Sequence, residues 1–261
     1  MYSLLLAATL ANPWAVQHTP AAGTAEPIGG YSAGCLQGGQ PFPLETANYQ
    51  VLRPQQHRYF GHPELLSFLD TLTKSAHQHG LPPLLIGDMA MVRGGPFTSG
   101  HASHQTGLDA DIWFRFAQPR LTPAQIKDPV PVDMVASDNR HVSPAFTAQQ
   151  QALLKLAASD PRVERIFVHP AIKQALCEQT TGDRSWLHRL RPWFGHRAHF
   201  HIRLACPAGA TDCEVQKPIP AGGGCGAEVE SWFTGGSEIS SKPGPRKMPV
   251  LPARCEQLLQ R

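Results

Sequence analysis

Two stretches decide the fold: Leu108-Asp109-Ala110-Asp111-Ile112-Trp113 and His199-Phe200-His201-Ile202-Arg203-Leu204. In each, apolar and polar residues alternate, as on a strand that buries one face. Leu108, Ala110 and Ile112 take the apolar side of the first strand and leave Asp109 and Asp111 on the other. Phe200, Ile202 and Leu204 take the core side of the second, so His199, His201 and Arg203 share the opposite face. Its two imidazoles then lie about 7 Å apart, at ~3.3 Å per residue. If both strands belong to one sheet, Asp111 and His201 project onto a common surface.

The segment entering the first strand is Ser99-Gly100-His101-Ala102-Ser103-His104-Gln105-Thr106-Gly107. Adding its His104 to Asp111 and His201 gives two imidazoles and a carboxylate with one position left for water. That is the catalytic zinc arrangement, in which the ion polarises a carbonyl and lowers the pKa of a bound water. An unligated His199 alongside would move a proton from water toward a leaving amine. His-x-His or His-x-x-His by itself signifies little, since alternating histidines on a strand are often ordinary solvated residues. Convergence from three separate segments carries the metal reading. Ser137-Asp138-Asn139-Arg140-His141 adds an acid and an imidazole three apart, which either join His101 at a second metal or form a turn with an Asx hydrogen bond. On the residues alone the turn is favoured. His18, His57, His62, His77, His79, His169 and His188 read as surface or packing residues.

Further out, Tyr49 to Leu52 is strand-like. Pro63 opens a helix whose Leu65, Leu69, Leu72 and Ala76 recur at helical spacing before Gly80. Leu84 to Ile86 is a short buried strand, followed by the loop Gly94-Gly95-Pro96. Thr147, with Gln150 three residues on, begins a capped helix through Leu153, Leu154, Leu156 and Ala157 that stops at Pro161. Ile166 to Val168 is a strand, and Pro170 opens one more short helix. Residues Asn12 to Gln40 read as an extended Pro/Gly/Ala-rich arm, and the chain from Pro207 onward as an irregular wrap held by disulfides. The class is α+β: a small central antiparallel sheet with flanking helices and long disulfide-stapled loops.

Lys+Arg 23 against Asp+Glu 20 is a mild balance that gives no indication of nucleic acid as a partner. Cys35, Cys177, Cys206, Cys213, Cys225 and Cys255 include no Cys-x-x-Cys, which argues against a zinc ribbon or redox pair and for disulfides in an oxidising compartment. Cys206 and Cys213 are near enough to close a small loop. The apolar run Leu4 to Ala8, ending in small residues near Ala11, reads as a signal peptide over residues 1–11, although no Lys or Arg precedes it. Residues 12–261 are then expected to form one catalytic domain with an N-terminal arm and a Pro/Gly-rich C-terminal wrap. No later run reaches ~20 apolar residues, so no transmembrane segment is expected. Gly30-Tyr31-Ser32-Ala33-Gly34 matches the Gly-x-Ser-x-Gly elbow, but that motif has meaning only between a strand and a helix. The chain also lacks Ser-x-x-Lys, so no acylating serine is expected.

Gly100 to Asp111 (Gly-His-Ala-Ser-His-Gln-Thr-Gly-Leu-Asp-Ala-Asp) and His196 to His201 (His-Arg-Ala-His-Phe-His) closely resemble the penicillin-insensitive murein endopeptidases. These belong with the lysostaphin-like, D-Ala-D-Ala-cleaving and hedgehog-type metal folds. The resemblance runs from about Gly30 to Cys255 and includes Arg58 to Pro63 and Arg191 to Phe194. It implies zinc on His104, Asp111 and His201, a water-activating role for His199 supported by His196, and a second metal on His101, Asp138 and His141. It also implies the pairs Cys35 with Cys255, Cys177 with Cys225, and Cys206 with Cys213. The substrate it implies is the D-alanyl to meso-diaminopimelate cross-link of peptidoglycan, in a periplasm, with a homodimer among the assemblies allowed. Two rival readings are a D,D-carboxypeptidase or D-Ala-D-Ala dipeptidase of the same metal group, and a non-catalytic wall-binding protein with a structural metal.

Overall fold

The computed structural model describes residues 12–98, 100–234 and 249–260; the segment 1–11, read as a signal peptide, lies outside them. In chain order the elements are β1 (Glu26–Gly30), β2 (Ala33–Gln37), β3 (Gln40–Pro41), β4 (Glu45–Thr46), β5 (Tyr49–Val51), β6 (Phe60–Gly61), α1 (Pro63–Gln78), β7 (Leu84–Ile86) and β8 (Asp109–Trp113). There follow α2 (Pro123–Lys127), α3 (Ala148–Ser159), β9 (Val163–Val168), α4 (Pro170–Gln179), β10 (Leu190–Pro192), β11 (His199–Leu204), α5 (Ala227–Thr234) and α6 (Ala253–Gln260). None of the described helices is long and apolar enough to cross a membrane.

The architecture is the expected α+β type. Seven strands form the main sheet in the order β10-β9-β11-β8-β7-β5-β4. Its middle is antiparallel, β9 to β11 to β8 to β7, and each flank adds one parallel pair, β10 with β9 and β5 with β7. The two alternating stretches are thus neighbours at the centre. Ala110 and Ile112 of β8 and Phe200, Ile202 and Leu204 of β11 enter one core with Leu65, Leu69 and Leu72 of α1 and Leu153, Leu154 and Ala157 of α3. β8 departs from expectation in one respect: all five of its residues are buried, not only the apolar ones. Its carboxylate face is roofed by histidines and an arginine.

Helix starts follow their local chemistry. Thr147 and Gln150 form a reciprocal capping box on α3, a device that contributes about 1 kcal/mol. His62 and His169, read as packing residues, cap α1 and α4: each Nδ1 accepts from the backbone N–H two residues on, at 3.2 and 3.1 Å. Both helices then begin with Pro63 and Pro170, which have no N–H to satisfy.

The Asn12 to Gln40 region is not the extended arm expected. β1 and β2 pair from Glu26↔Gln37 to Gly30↔Ala33, with Tyr31-Ser32 as the turn. Ile28, Cys35 and Leu36 are buried by the chain's own C-terminus and by the loop ahead of β8, so no polar alternation marks the strands. Ser32 therefore sits in a hairpin turn, and no helix follows to make it a nucleophile elbow. The C-terminal wrap also has more regular structure than its Pro and Gly content suggests: α6 lies against β2 and α5 against α4. All six cysteines pair as the family resemblance implied, Cys35–Cys255, Cys177–Cys225 and Cys206–Cys213.

Lys173 of α4 fastens part of that wrap. Fully buried, its Nζ donates to the carbonyls of Leu187 at 2.6 Å and Gly223 at 2.5 Å. Burial, with Arg191 and Arg184 nearby, pushes it from 10.5 down to about 7. On raising the pH, the folded chain releases this proton before the unfolded chain does, so stability rises with pH from about 7 until the unfolded lysine also titrates. The urea midpoint of the wild type should rise between about pH 6 and pH 9 relative to that of Lys173→Met, and a gap between the two that is independent of pH would contradict the buried placement.

Candidate metal centre

β8 and β11 set the site by register. His201 stands directly opposite Asp111, and Arg203 opposite Asp109. Asp109 is fully buried and acts as the organiser. It accepts from Arg203 Nε at 2.7 Å, from His201 Nε2 at 2.9 Å and from the backbone N–H of His104 at 3.1 Å. Because a carboxylate can only accept, the neutral His201 ring carries its proton on Nε2 and turns the lone pair of Nδ1 to Asp111, whose Oδ1 is 3.3 Å away. A carboxylate that fixes a histidine tautomer in this way is the usual partner behind a metal-binding imidazole. Burial opposes the charged form of His201, but Asp109 and Asp111 outweigh it and raise its pKa.

The loop before β8 supplies the other imidazoles. His104 has a left-handed backbone, φ 68, and is fully buried. For a residue with a Cβ such a conformation costs on the order of 1 kcal/mol, which surrounding contacts must offset. Its ring stacks on Phe97 at 5.7 Å and its Nε2 lies 3.4 Å from Asp111 Oδ1. His101 Nε2 lies 3.2 Å from Asp111 Oδ2 and 3.6 Å from Asp88 Oδ2. Attraction to Asp111 would raise His101, but burial together with His104 and His199 pushes it down to about 4.

Two features hold the loop. Gln105 donates to the carbonyls of Ser32 at 2.9 Å and Ala102 at 2.8 Å and accepts from Gly34 N at 3.1 Å, tying the loop to the β1–β2 turn. Gly94 and Gly95, at φ 65 and 75, bring the preceding loop so close that a Cβ would fall 1.9 Å from Gln105 O and 2.1 Å from Trp14.

His101, His104, Asp111 and His201 each offer a ligand atom, and the four atoms lie within 4.8 Å of one another. Their chemistry fits a divalent ion. Both ring nitrogens of His104 and Oδ1 of Asp111 are buried with no hydrogen-bond partner, at about 1–3 kcal/mol for each group left unsatisfied. A tetrahedral ion with bonds of ~2.0–2.1 Å holds its donors ~3.3 Å apart, and the imidazole nitrogens sit 3.2 to 3.4 Å from the Asp111 oxygens.

His199 and His196 line the same cavity, of about 570 Å³, with His101 and His201. His199 Nε2 is 3.8 Å from Asp111 Oδ2, and its pKa is lowered by burial in spite of that carboxylate. The His196 ring is centred 5.1 Å from that of His199, and its Nδ1 donates to the Phe194 carbonyl at 2.8 Å. Burial, then His199 and His201, pushes His196 down to about 3. Both rings are neutral at pH 7.

Asp138 and His141 do not join these residues. They bond to each other, His141 Nδ1 to Asp138 Oδ2 at 2.6 Å, on an exposed turn in which Asp138 Oδ1 also accepts from the N–H groups of Arg140 and His141. His101, which the resemblance grouped with them, faces Asp111. Sequence reasoning left Asp109 without a role, although its place two residues from Asp111 already put it on the same face. Asp88 is held by Arg53 at 3.2 Å and Arg58 at 3.0 Å. Neither it nor Phe97 carries any local pattern to mark it.

Comparison with known proteins agrees with this geometry. The family model for penicillin-insensitive murein endopeptidase matches residues 27–260. Proteins of that name from Yersinia enterocolitica and Klebsiella pneumoniae are 52% and 50% identical to this chain, covering 95% of it and 90% and 91% of themselves. One from Salmonella arizonae is 47% identical over 97% of this chain and 93% of its own length.

An ion that binds only the folded cluster stabilises the chain by mass action, by about 4 kcal/mol at a thousand times its Kd. Adding zinc to chelator-treated wild type should raise Tm on the order of 10 °C, and Asp111→Asn should show almost none of that shift in the same calorimetric scan.

Proposed function

Because the chain belongs to the family of penicillin-insensitive murein endopeptidases, and so is a peptide hydrolase acting on peptidoglycan, we propose that it is a zinc enzyme that cleaves D-alanyl to meso-diaminopimelyl cross-links in the periplasm. The observation that carries this reading is the buried set His104, Asp111 and His201, with unsatisfied atoms facing one another and neutral imidazoles alongside.

In this reading His104, Asp111 and His201 hold the zinc, and His101 stands ready as a further donor to the same ion. When bound, the ion supplies a Lewis acid that polarises the peptide carbonyl and acidifies a water molecule. His199 accepts the proton of the attacking water and returns it to the leaving amine, a task that requires the neutral ring its burial provides. His196, with its Nδ1 proton committed to Phe194 O, has only a lone pair at Nε2 and so orients water as an acceptor. Asp109 keeps the His201 tautomer fixed. Asp138 and His141, together with His101, would hold a second metal. β-Lactams act by acylating a serine, and none takes part in this chemistry. Three disulfides favour an oxidising compartment, in keeping with the periplasm.

Cross-linked muropeptide dimers separate these roles from their rivals. Wild type should convert dimers to monomers without shortening their stems, and a chelator should stop it; shortened stems with dimers intact would instead indicate a D,D-carboxypeptidase. His201→Ala should lose metal and activity together. His199→Ala should keep the metal, by elemental analysis, while kcat falls about 10²- to 10⁴-fold; a metal-loaded, fully active His199→Ala protein would remove the proton-transfer role.

A further inference from the structure

Along β9 the cavity that contains the histidines continues to the guanidinium of Arg165. In the β9–β11 register Phe167 faces His201 and Arg165 faces Arg203, so Arg165 is a diagonal neighbour of His201 on the same face, about 7–8 Å away. Its side chain lines both the site cavity and an adjoining pocket of about 460 Å³ whose walls include Glu214 and Lys217.

The two arginines differ in what they are bound to. Arg203 is buried, donates from Nε to Asp109 at 2.7 Å, and lies 4.2 Å over the Tyr31 ring. Arg165 is half-buried and has one fixed contact, from Nη2 to the backbone carbonyl of Lys217, in the segment that follows the Cys206–Cys213 loop. That contact sets the direction of the guanidinium, while its Nε is buried without an acceptor. Among the described residues no Asp or Glu comes within ion-pair distance of it, Glu214 included, and Glu164, its neighbour on β9, attracts it only at longer range. An oriented, half-desolvated guanidinium beside a peptide cleft is suited to bind a carboxylate in two-pronged fashion.

We infer that Arg165 binds the free carboxylate on the residue that supplies the scissile amide nitrogen, which makes that carboxylate a determinant of which bonds are cut. The inference rests on the cross-link reading above. An amide between a D-alanyl carbonyl and the amine of an amino-acid centre leaves the carboxylate of that centre next to the bond. An extended residue spans ~3.3–3.6 Å. A scissile carbonyl at His201 therefore brings this carboxylate within reach of a guanidinium one cross-strand step away.

The test uses one cross-linked dimer in two forms, with that carboxylate free and with it amidated. Amidation should lower wild-type kcat/KM on the order of 10- to 100-fold, the range expected for losing charge-assisted hydrogen bonds. Arg165→Met should cleave the free form as slowly as the amidated one and leave the amidated rate unchanged, and Arg165→Lys should recover part of the preference. Equal cleavage of both forms by wild type, or an equal loss on both in Arg165→Met, overturns the assignment. A wild type that cuts neither form overturns the cross-link reading itself, and this assignment with it.

Discussion

A carboxylate buried among imidazoles governs this molecule. Asp111 is 1% exposed, and burying an ionised group that deeply is unfavourable unless cations or strong donors surround it. Here burial opposes ionisation, yet His101, His199 and His104 together hold its pKa well below the usual carboxylate range. The charge is present, and one of its oxygens lacks a hydrogen-bond partner. That combination leaves room for one more cation.

Much of the rest of the fold serves to keep those groups in place. Register alone sets His201 against Asp111, and Asp109 fixes which nitrogen His201 presents. The loop carrying His101 and His104 is not part of the sheet and needs outside support. It gets that support from the chain's two ends: Trp14, Ile28, Phe97 and Leu258 form a second apolar cluster around the Cys35–Cys255 disulfide, and Phe97 of that cluster stacks on His104. A disulfide joining residues 220 apart in sequence restricts the unfolded chain strongly, and in the chain-entropy account a loop this long contributes about 5 kcal/mol. The strained backbone at His104 can persist because this shell determines it.

The central strands were legible because one face of each is purely apolar, and alternation survives in sequence whatever covers the other face. Asp111 and His201 could therefore be placed on one surface from sequence alone. The β1–β2 hairpin could not, because its central residues are buried on both faces and Gly29, Gly30 and Gly34 stand within the strands, so no periodicity distinguishes it from a loop. α5 and α6 were hidden in the same way by the surrounding Pro and Gly. The roles of Phe97, Asp88 and Arg165 depend wholly on register and tertiary contact.

The account stands or falls on whether one divalent ion lies among these side chains. Anomalous diffraction at the zinc edge, from crystals of chelator-free protein, tests this directly. The expected result is a strong peak bonded to His104, Asp111 and His201, with Asp109 still hydrogen-bonded to His201 Nε2. No zinc at this cluster, or Asp111 paired only with protonated histidines in active protein, would contradict it.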